Sequence, residues 1–205
     1  MRLPRRPWRR RPGRRRRKNR PYMFVIVGLG NPGKRYAATR HNLGYRAIDM
    51  LAARSGVRLK RKFRLRSDAV RGKLLGRDVL LLKPRTFMNL SGRAVALVLR
   101  YYRSSPTDLI VLTDDANLPV GRIRIRPGGG PGGHRGLQSL IDELRSDDFP
   151  RVRIGIGAGA DMVAHVLGEF GATEREEIDR SVERAVASVE TIVTDGVEMA
   201  MDRYN

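Results

Sequence analysis

The feature that most constrains this chain is a short apolar, β-branched run, Val25-Ile26-Val27. It runs straight into Gly28-Leu29-Gly30-Asn31-Pro32-Gly33 and, eight residues further on, His41-Asn42. An apolar run of this length suits one buried strand and is too short for a helix. The glycines and the Asn-Pro pair end it in a turn. A buried strand that opens into a glycine turn is a building block of open α/β sheets, whose ligands sit beyond the carboxyl ends of the strands.

The alternation continues down the chain. Residues 43–55 place Leu43, Ala47, Ile48, Leu51 and Ala52 on one helical face, and Gly56 ends the stripe. Residues 57–65 alternate Val, Leu and Phe with Arg and Lys, which predicts a half-exposed basic strand. Residues 69–74 and 79–83 flank Gly76-Arg77-Asp78 as a hairpin. A helix over 91–102 precedes an apolar strand over 109–113 that ends in Asp114-Asp115. In residues 122–126, Ile123 and Ile125 share one strand face and Arg122, Arg124 and Arg126 the other. A helix over 137–144 and a strand over 152–156 follow. Thr173, with Glu176 three residues later, predicts a capping box at the start of a long helix with the stripe Ile178, Val182, Ala185, Val189 and Ile192. This order predicts one α/β domain over residues 23–205, with a twisted, mixed and mostly parallel sheet flanked by helices.

Composition removes several chemistries. There is no cysteine, so disulfides and thiolate metal sites are excluded. The three histidines, His41, His134 and His165, show no HExxH spacing, and no metal is expected. No apolar run approaches the ~20 residues of a membrane span. The formal charge is +21, but residues 1–20 alone carry twelve Arg/Lys and no acid, which leaves +9 on the rest. A basic body of this kind favours a polyanionic partner. Residues 1–22 are Arg/Pro-rich and are expected to be a disordered tail. Met23 directly before the first strand offers an alternative start, which would make that tail dispensable; a basic arm adding phosphate contacts is the other reading.

Gly28-Leu29-Gly30-Asn31-Pro32-Gly33 matches the G-x-G-x-x-G of dinucleotide sites, but the acid expected about 20 residues on, at the end of the second strand, is missing. Gly33-Lys34 also echoes a P-loop, yet Arg35 stands where the metal-binding Ser/Thr should be. Hydrolytic chemistry suits the residues better. Asp114, at the carboxyl end of a strand, points toward the ligand crevice, and a carboxylate there would orient His41. Without cysteine or Gly-x-Ser-x-Gly, a His-activated water is the economical nucleophile. Asn31 and Asn89 offer amides to a carbonyl or oxyanion. Gly128-Gly129-Gly130-Pro131-Gly132-Gly133-His134-Arg135 follows the arginine-faced strand and opens a helix, a pairing suited to phosphate.

Taken in order, Val27-Gly28-Leu29-Gly30-Asn31-Pro32-Gly33, Tyr36, Thr39-Arg40-His41-Asn42, Lys83-Pro84-Arg85-Thr86-Phe87-Met88-Asn89-Leu90-Ser91-Gly92, Asp114 with Leu118-Pro119, and Gly132-Gly133-His134-Arg135-Gly136-Leu137 closely resemble bacterial-type peptidyl-tRNA hydrolase over residues 23–203. The resemblance implies hydrolysis of the peptide–tRNA ester, recycling tRNA from aborted translation. It makes His41 the general base, Asp114 its support, and Asn31 the residue that distinguishes peptidyl-tRNA from aminoacyl-tRNA. Asn89 would hold the peptide main chain, Tyr36 and Phe87 would line the site, and Arg126 and Arg153 would clamp the tRNA 5′ phosphate. The segment 161–171 resembles a lid. Arg135 stands where the pattern usually has Asn, exchanging an amide donor for a charged one, and Thr113 stands where His is usual. No cofactor or metal is implied; the partner is tRNA, and the expected form is a cytoplasmic monomer. The alternative is a noncatalytic RNA-binding, splicing-factor-like relative on the same fold.

Overall fold

The computed structural model describes residues 23–205, and the tail over 1–22 lies outside the described residues. Strand β1 (Phe24–Gly28) leads through two 3₁₀ turns, Lys34–Tyr36 and Arg40–Asn42, into α1 (Leu43–Arg54). Next come β2 (Lys60–Lys62), β3 (Ser67–Leu74), β4 (Arg77–Pro84), α2 (Ser91–Tyr102), β5 (Leu109–Asp115), β6 (Ile123–Arg126), α3 (Arg135–Leu144) and β7 (Arg151–Gly155). Three helices close the chain: α4 (Met162–Leu167), α5 (Ala172–Asp195) and α6 (Val197–Tyr204).

The strands form one mixed sheet in the order β2-β3-β4-β1-β5-β7-β6. Parallel pairing is confined to the central four strands, and β2, β3 and β6 add antiparallel edges. The central strands are apolar on both faces because both are covered. Ile26, Leu81, Ile110, Leu112 and Val152 pack on one side with the stripes of α1 and α5 and with Ala200 of α6. Val25, Val27, Leu80, Leu82 and Val111 pack on the other with Val95, Val98 and Leu99 of α2 and Leu137 and Leu140 of α3. No described helix is long and apolar enough to cross a membrane.

The glycine turn has a packing role. A side-chain carbon on Gly28 would collide with the backbone of Gly44, and one on Gly44 would collide with Leu29. These two glycines let the first turn of α1 lie directly on the end of β1. Two of the turn's amides are also engaged: Leu29 N–H donates to the Leu112 carbonyl (2.9 Å) and Asn31 N–H to Asn42 Oδ1 (2.7 Å). A 3₁₀ turn, not an α-helix, follows Gly33. The loop therefore lacks the helix N-terminus that a nucleotide phosphate needs.

Three local expectations need correction. The basic strand over 57–65 is ordered as strand only at Lys60–Lys62; a 3₁₀ turn, Phe63–Leu65, and a left-handed Arg66 (φ 47°) then reverse the chain into β3. The hairpin turn is Leu75-Gly76, both at positive φ, so Arg77 and Asp78 belong to β4; that backbone matches the twist of two-residue hairpins. The long helix is capped at Gly171, whose N–H donates to Glu174 Oε2 (2.8 Å), rather than at Thr173. Glu174 is fixed there because it also takes a two-pronged bond from Arg40 (2.9 and 2.8 Å).

Gly28→Ala should therefore lower stability by about 1–3 kcal/mol through overpacking against α1. Urea unfolding reads this as a lower midpoint, and an unchanged midpoint would show that the two backbones can separate without cost.

Candidate active site

The carboxyl ends of β1 and β5, neighbours in the parallel centre, carry the loops that build the site. Asp114 lies near the end of β5 and is 2% exposed. His41 sits on the 3₁₀ turn just before α1, and the Gly28–Gly44 contact brings that turn over β5. Arg40 steadies it, since its guanidinium lies 4.4 Å from the Phe170 ring centroid while gripping Glu174 of α5.

His41 Nδ1 lies 2.9 Å from both oxygens of Asp114. A second imidazole approaches from the other side, with His134 Nε2 3.1 Å from Asp114 Oδ1 and 2.8 Å from the Thr113 hydroxyl. The hydrogen bonds determine the tautomers. His134 is the N-cap of α3, and its Nδ1 accepts from the backbone N–H groups of Gly136 (3.1 Å) and Leu137 (3.2 Å). Its proton therefore sits on Nε2, which faces the Thr113 hydroxyl and Asp114 as a donor. His41 donates to Asp114 through Nδ1, which leaves Nε2 as the basic atom offered to the cleft. Burial alone would raise the Asp114 pKa, but electrostatic attraction and hydrogen bonds from His134 and His41 outweigh it and hold the carboxyl well below the ordinary carboxylate range.

His41, Asp114 and His134 also bring potential metal ligands within 4.8 Å of one another. The donor set does not fit a metal ion. Freeing His134 Nε2 for a cation would put the proton on Nδ1, facing two backbone N–H donors.

The cleft above this group has a volume of about 670 Å³, and its lining includes Asn31, Tyr36, Phe87, Asn89, Arg135 and Arg153. Asn31 is held from three directions. Asn42 bonds its backbone N–H and carbonyl (2.7 and 3.0 Å), and its own Oδ1 accepts from Met88 N–H (2.8 Å). Its Nδ2 is thus left to donate to a ligand. Tyr36 and Phe87 meet edge to face, with centroids 6.5 Å apart, at the mouth. Asn89 is exposed on the turn that follows Phe87.

The glycine-rich wall is anchored by a residue that sequence reasoning missed. Arg151, 2% exposed, donates to the carbonyls of Gly129 (2.6 Å), Gly130 (3.0 Å) and Asp147 (3.0 Å) and lies over Phe149. Beside it, Arg153 pairs with Asp115 and reaches the cleft. Arg126 does not line the cleft. It pairs in register with Arg151 at the exposed end of β6, on the same sheet face as Arg153. Arg135 is exposed at the first position of α3. Helix α4 covers the far side with Met162, Val163, Val166 and Leu167. Asn42, His134 and Arg151 lack a distinctive spacing because their partners lie 11 to 22 residues away. The only local sign of His134 was its place between a glycine run and a helix.

Comparison with known proteins agrees with this architecture. The peptidyl-tRNA hydrolase family model matches residues 25–205. The peptidyl-tRNA hydrolase of Caldanaerobacter subterraneus subsp. tengcongensis is 48% identical over 185 residues, covering 89% of this chain and 100% of that protein. That of Alkaliphilus oremlandii is 46% identical with the same coverage. A crystal structure of peptidyl-tRNA hydrolase from Acinetobacter baumannii superposes with a TM-score of 0.85 at 35% identity, covering 91% of this chain and 98% of that one. With the fold, the cleft and the match over nearly all described residues in agreement, this chain belongs to the peptidyl-tRNA hydrolase family.

Proposed function

We propose that this chain hydrolyses the ester joining a peptide to the 3′ ribose of tRNA, with His41 as general base. The observation that carries this reading is the tethering of His41 Nδ1 to buried Asp114, which leaves Nε2 basic and open to the cleft. In the reaction, Nε2 takes a proton from water as the water oxygen attacks the ester carbonyl. Asp114 stabilises the imidazolium that forms. Asn31 Nδ2, Asn89 and the Arg135 guanidinium are donors placed for the developing oxyanion and the peptide main chain. Collapse breaks the ester C–O bond, and His41 returns the proton to the ribose oxygen, so the products are a free peptide and tRNA with its 3′ hydroxyl. Tyr36 and Phe87 offer ring surface to the terminal nucleotide or peptide, and Arg153 with Arg126 offers charge to phosphate. A noncatalytic RNA-binding relative on this fold would need no imidazole held with a free nitrogen facing an open cleft.

Release of peptide from an N-blocked aminoacyl-tRNA tests the base. His41→Ala should cut turnover on the order of 10²- to 10⁴-fold with tRNA affinity near parental; undiminished turnover would refute the role. Arg153→Ala should weaken tRNA binding and reduce the log–log salt slope by about one. An unchanged slope would remove Arg153 from the phosphate contact. Asp114 is ionised in the folded protein below its ordinary pKa of 3.8, so the unfolded chain binds more protons in that range. Its contribution to stability should be complete above that value and be lost as pH falls below it. Asp114→Asn should flatten this acid limb in denaturation measured from pH 6 down to pH 2, and an identical limb in both proteins would assign the loss to other groups.

A further inference from the structure

We propose that the β2 edge, residues 58–66, is a second RNA-docking surface that takes an unpaired, non-acylated stretch of RNA. This goes beyond the ester hydrolysis above and does not depend on it. The first ground is where the charge sits. Residues 23–205 carry 30 Lys/Arg and 21 Asp/Glu, but outside residues 58–66 the counts are 24 and 21. Arg58, Lys60, Arg61, Lys62, Arg64 and Arg66 thus supply +6 of the body's +9, and no acid interrupts them. All six are exposed. The nearest acids in sequence on either side are already engaged: Asp68 faces Arg85 at 3.5 Å and Asp49 faces Lys83 at 2.5 Å.

The second ground is an aromatic at the end of this row. Phe63 is 78% exposed, the most of any large apolar side chain among the described residues. The Arg61 guanidinium lies 5.1 Å from its ring centroid, and most of the remaining ring surface is open to water. Cations guarding an edge strand against edge-to-edge pairing are common, and β2 is an edge. That need does not account for an aromatic ring held in solvent among them. Phosphate-binding cations interleaved with a ring on which a base can stack are what a single strand of nucleic acid requires. A membrane surface fits less well, because interfacial anchors present a whole apolar helix face rather than one ring.

The third ground is position. Arg85 N–H donates to the Arg66 carbonyl (2.7 Å), and Arg85 lies two residues before Phe87 at the cleft mouth. The basic edge therefore abuts the cleft from the side opposite Arg126 and Arg153. By strand spacing it lies roughly 30 Å across the sheet from β6, so one phosphate contact cannot serve both.

The test uses the full chain and a fluorescent twelve-nucleotide oligouridylate, with binding followed by polarisation over a range of KCl. Reversing Lys60, Arg61 and Lys62 to Glu should weaken binding and lower the log–log salt slope by about two, at ~0.7 per phosphate contact. Phe63→Ala, which changes no charge and no core contact, should weaken binding on the order of tenfold. Both variants should release peptide from a short acylated CCA fragment at the parental rate, which separates this surface from the catalytic site. Reversing Arg180, Arg184 and Arg203 instead makes the same change in net charge elsewhere. If that control weakens binding equally, bulk charge is responsible and the proposal fails. It also fails if Phe63→Ala binds as the parent does, or if the variants lose affinity for vesicles of anionic phospholipid but not for the oligonucleotide.

Discussion

The site depends on one buried carboxylate. Asp114 lies in the middle of the sheet, where an unpaired charge would cost several kcal/mol. Two imidazoles remove that cost, each carried by a different loop: His41 by the turn ahead of α1 and His134 by the cap of α3. A single hydrogen-bonded cluster thereby holds three stretches of chain in register. The same bonds set the protons. Because His134 Nδ1 accepts from two backbone amides, its Nε2–H is the donor toward Asp114 and the Thr113 hydroxyl, and the ionised Asp114, with no proton to give, accepts from His41. The orientation of His134 thus traces back to the first turn of α3, where the helix amides need a cap.

Much of this was legible in the sequence, and what was legible was local. The apolar stripes of α1, α2 and α5 and the β-branched runs of β1 and β5 each follow from a period that repeats over a few residues. Asp114 could be placed because a strand end in an α/β sheet has a known direction. The capping box was misplaced because two acids, Glu174 and Glu176, suit the first turn, and only the long-range bond to Arg40 decides between them. The basic strand was overextended because alternation continues past Lys62, whereas the 3₁₀ turn Phe63–Leu65 and the left-handed Arg66 reverse the chain there. Asn42, His134 and Arg151 act on partners far along the chain, and composition does not register such pairings.

The glycines near the site illustrate how one residue type answers different constraints. Gly28 and Gly44 are required by the close approach of β1 and α1, where any side chain would collide with backbone. The glycine-rich wall after β6 has no such crowding at Gly129, Gly130 and Gly133, where a side-chain carbon would meet nothing. Gly129 and Gly133 instead take positive φ, and Gly129 and Gly130 present carbonyls to one guanidinium. A run that reads as a flexible connector is therefore pinned at its base by a buried arginine. Burial pushes the Arg151 pKa down, and Arg153 nearby adds to that shift, against the opposing charge of Asp147. The planar fork still suits several carbonyls at once better than an ammonium would.

The opposite wall of the cleft is built differently. Helix α4 is six residues long and has no buried residue, and Met162, Val163 and Leu167 are 47%, 53% and 40% exposed over the site. It is held by its Asp161 cap, by His165 Nε2 against the carbonyls of Ile156 (3.1 Å) and Gly157 (2.9 Å), and by the Thr39–Glu169 bridge at its far end. An element with so little buried apolar surface opens at far lower free energy than the sheet beneath it. The tethers lie at both ends of the segment and, through His165, in the middle of α4, so they hold the apolar side chains over the cleft without touching Asp114 or its two histidines.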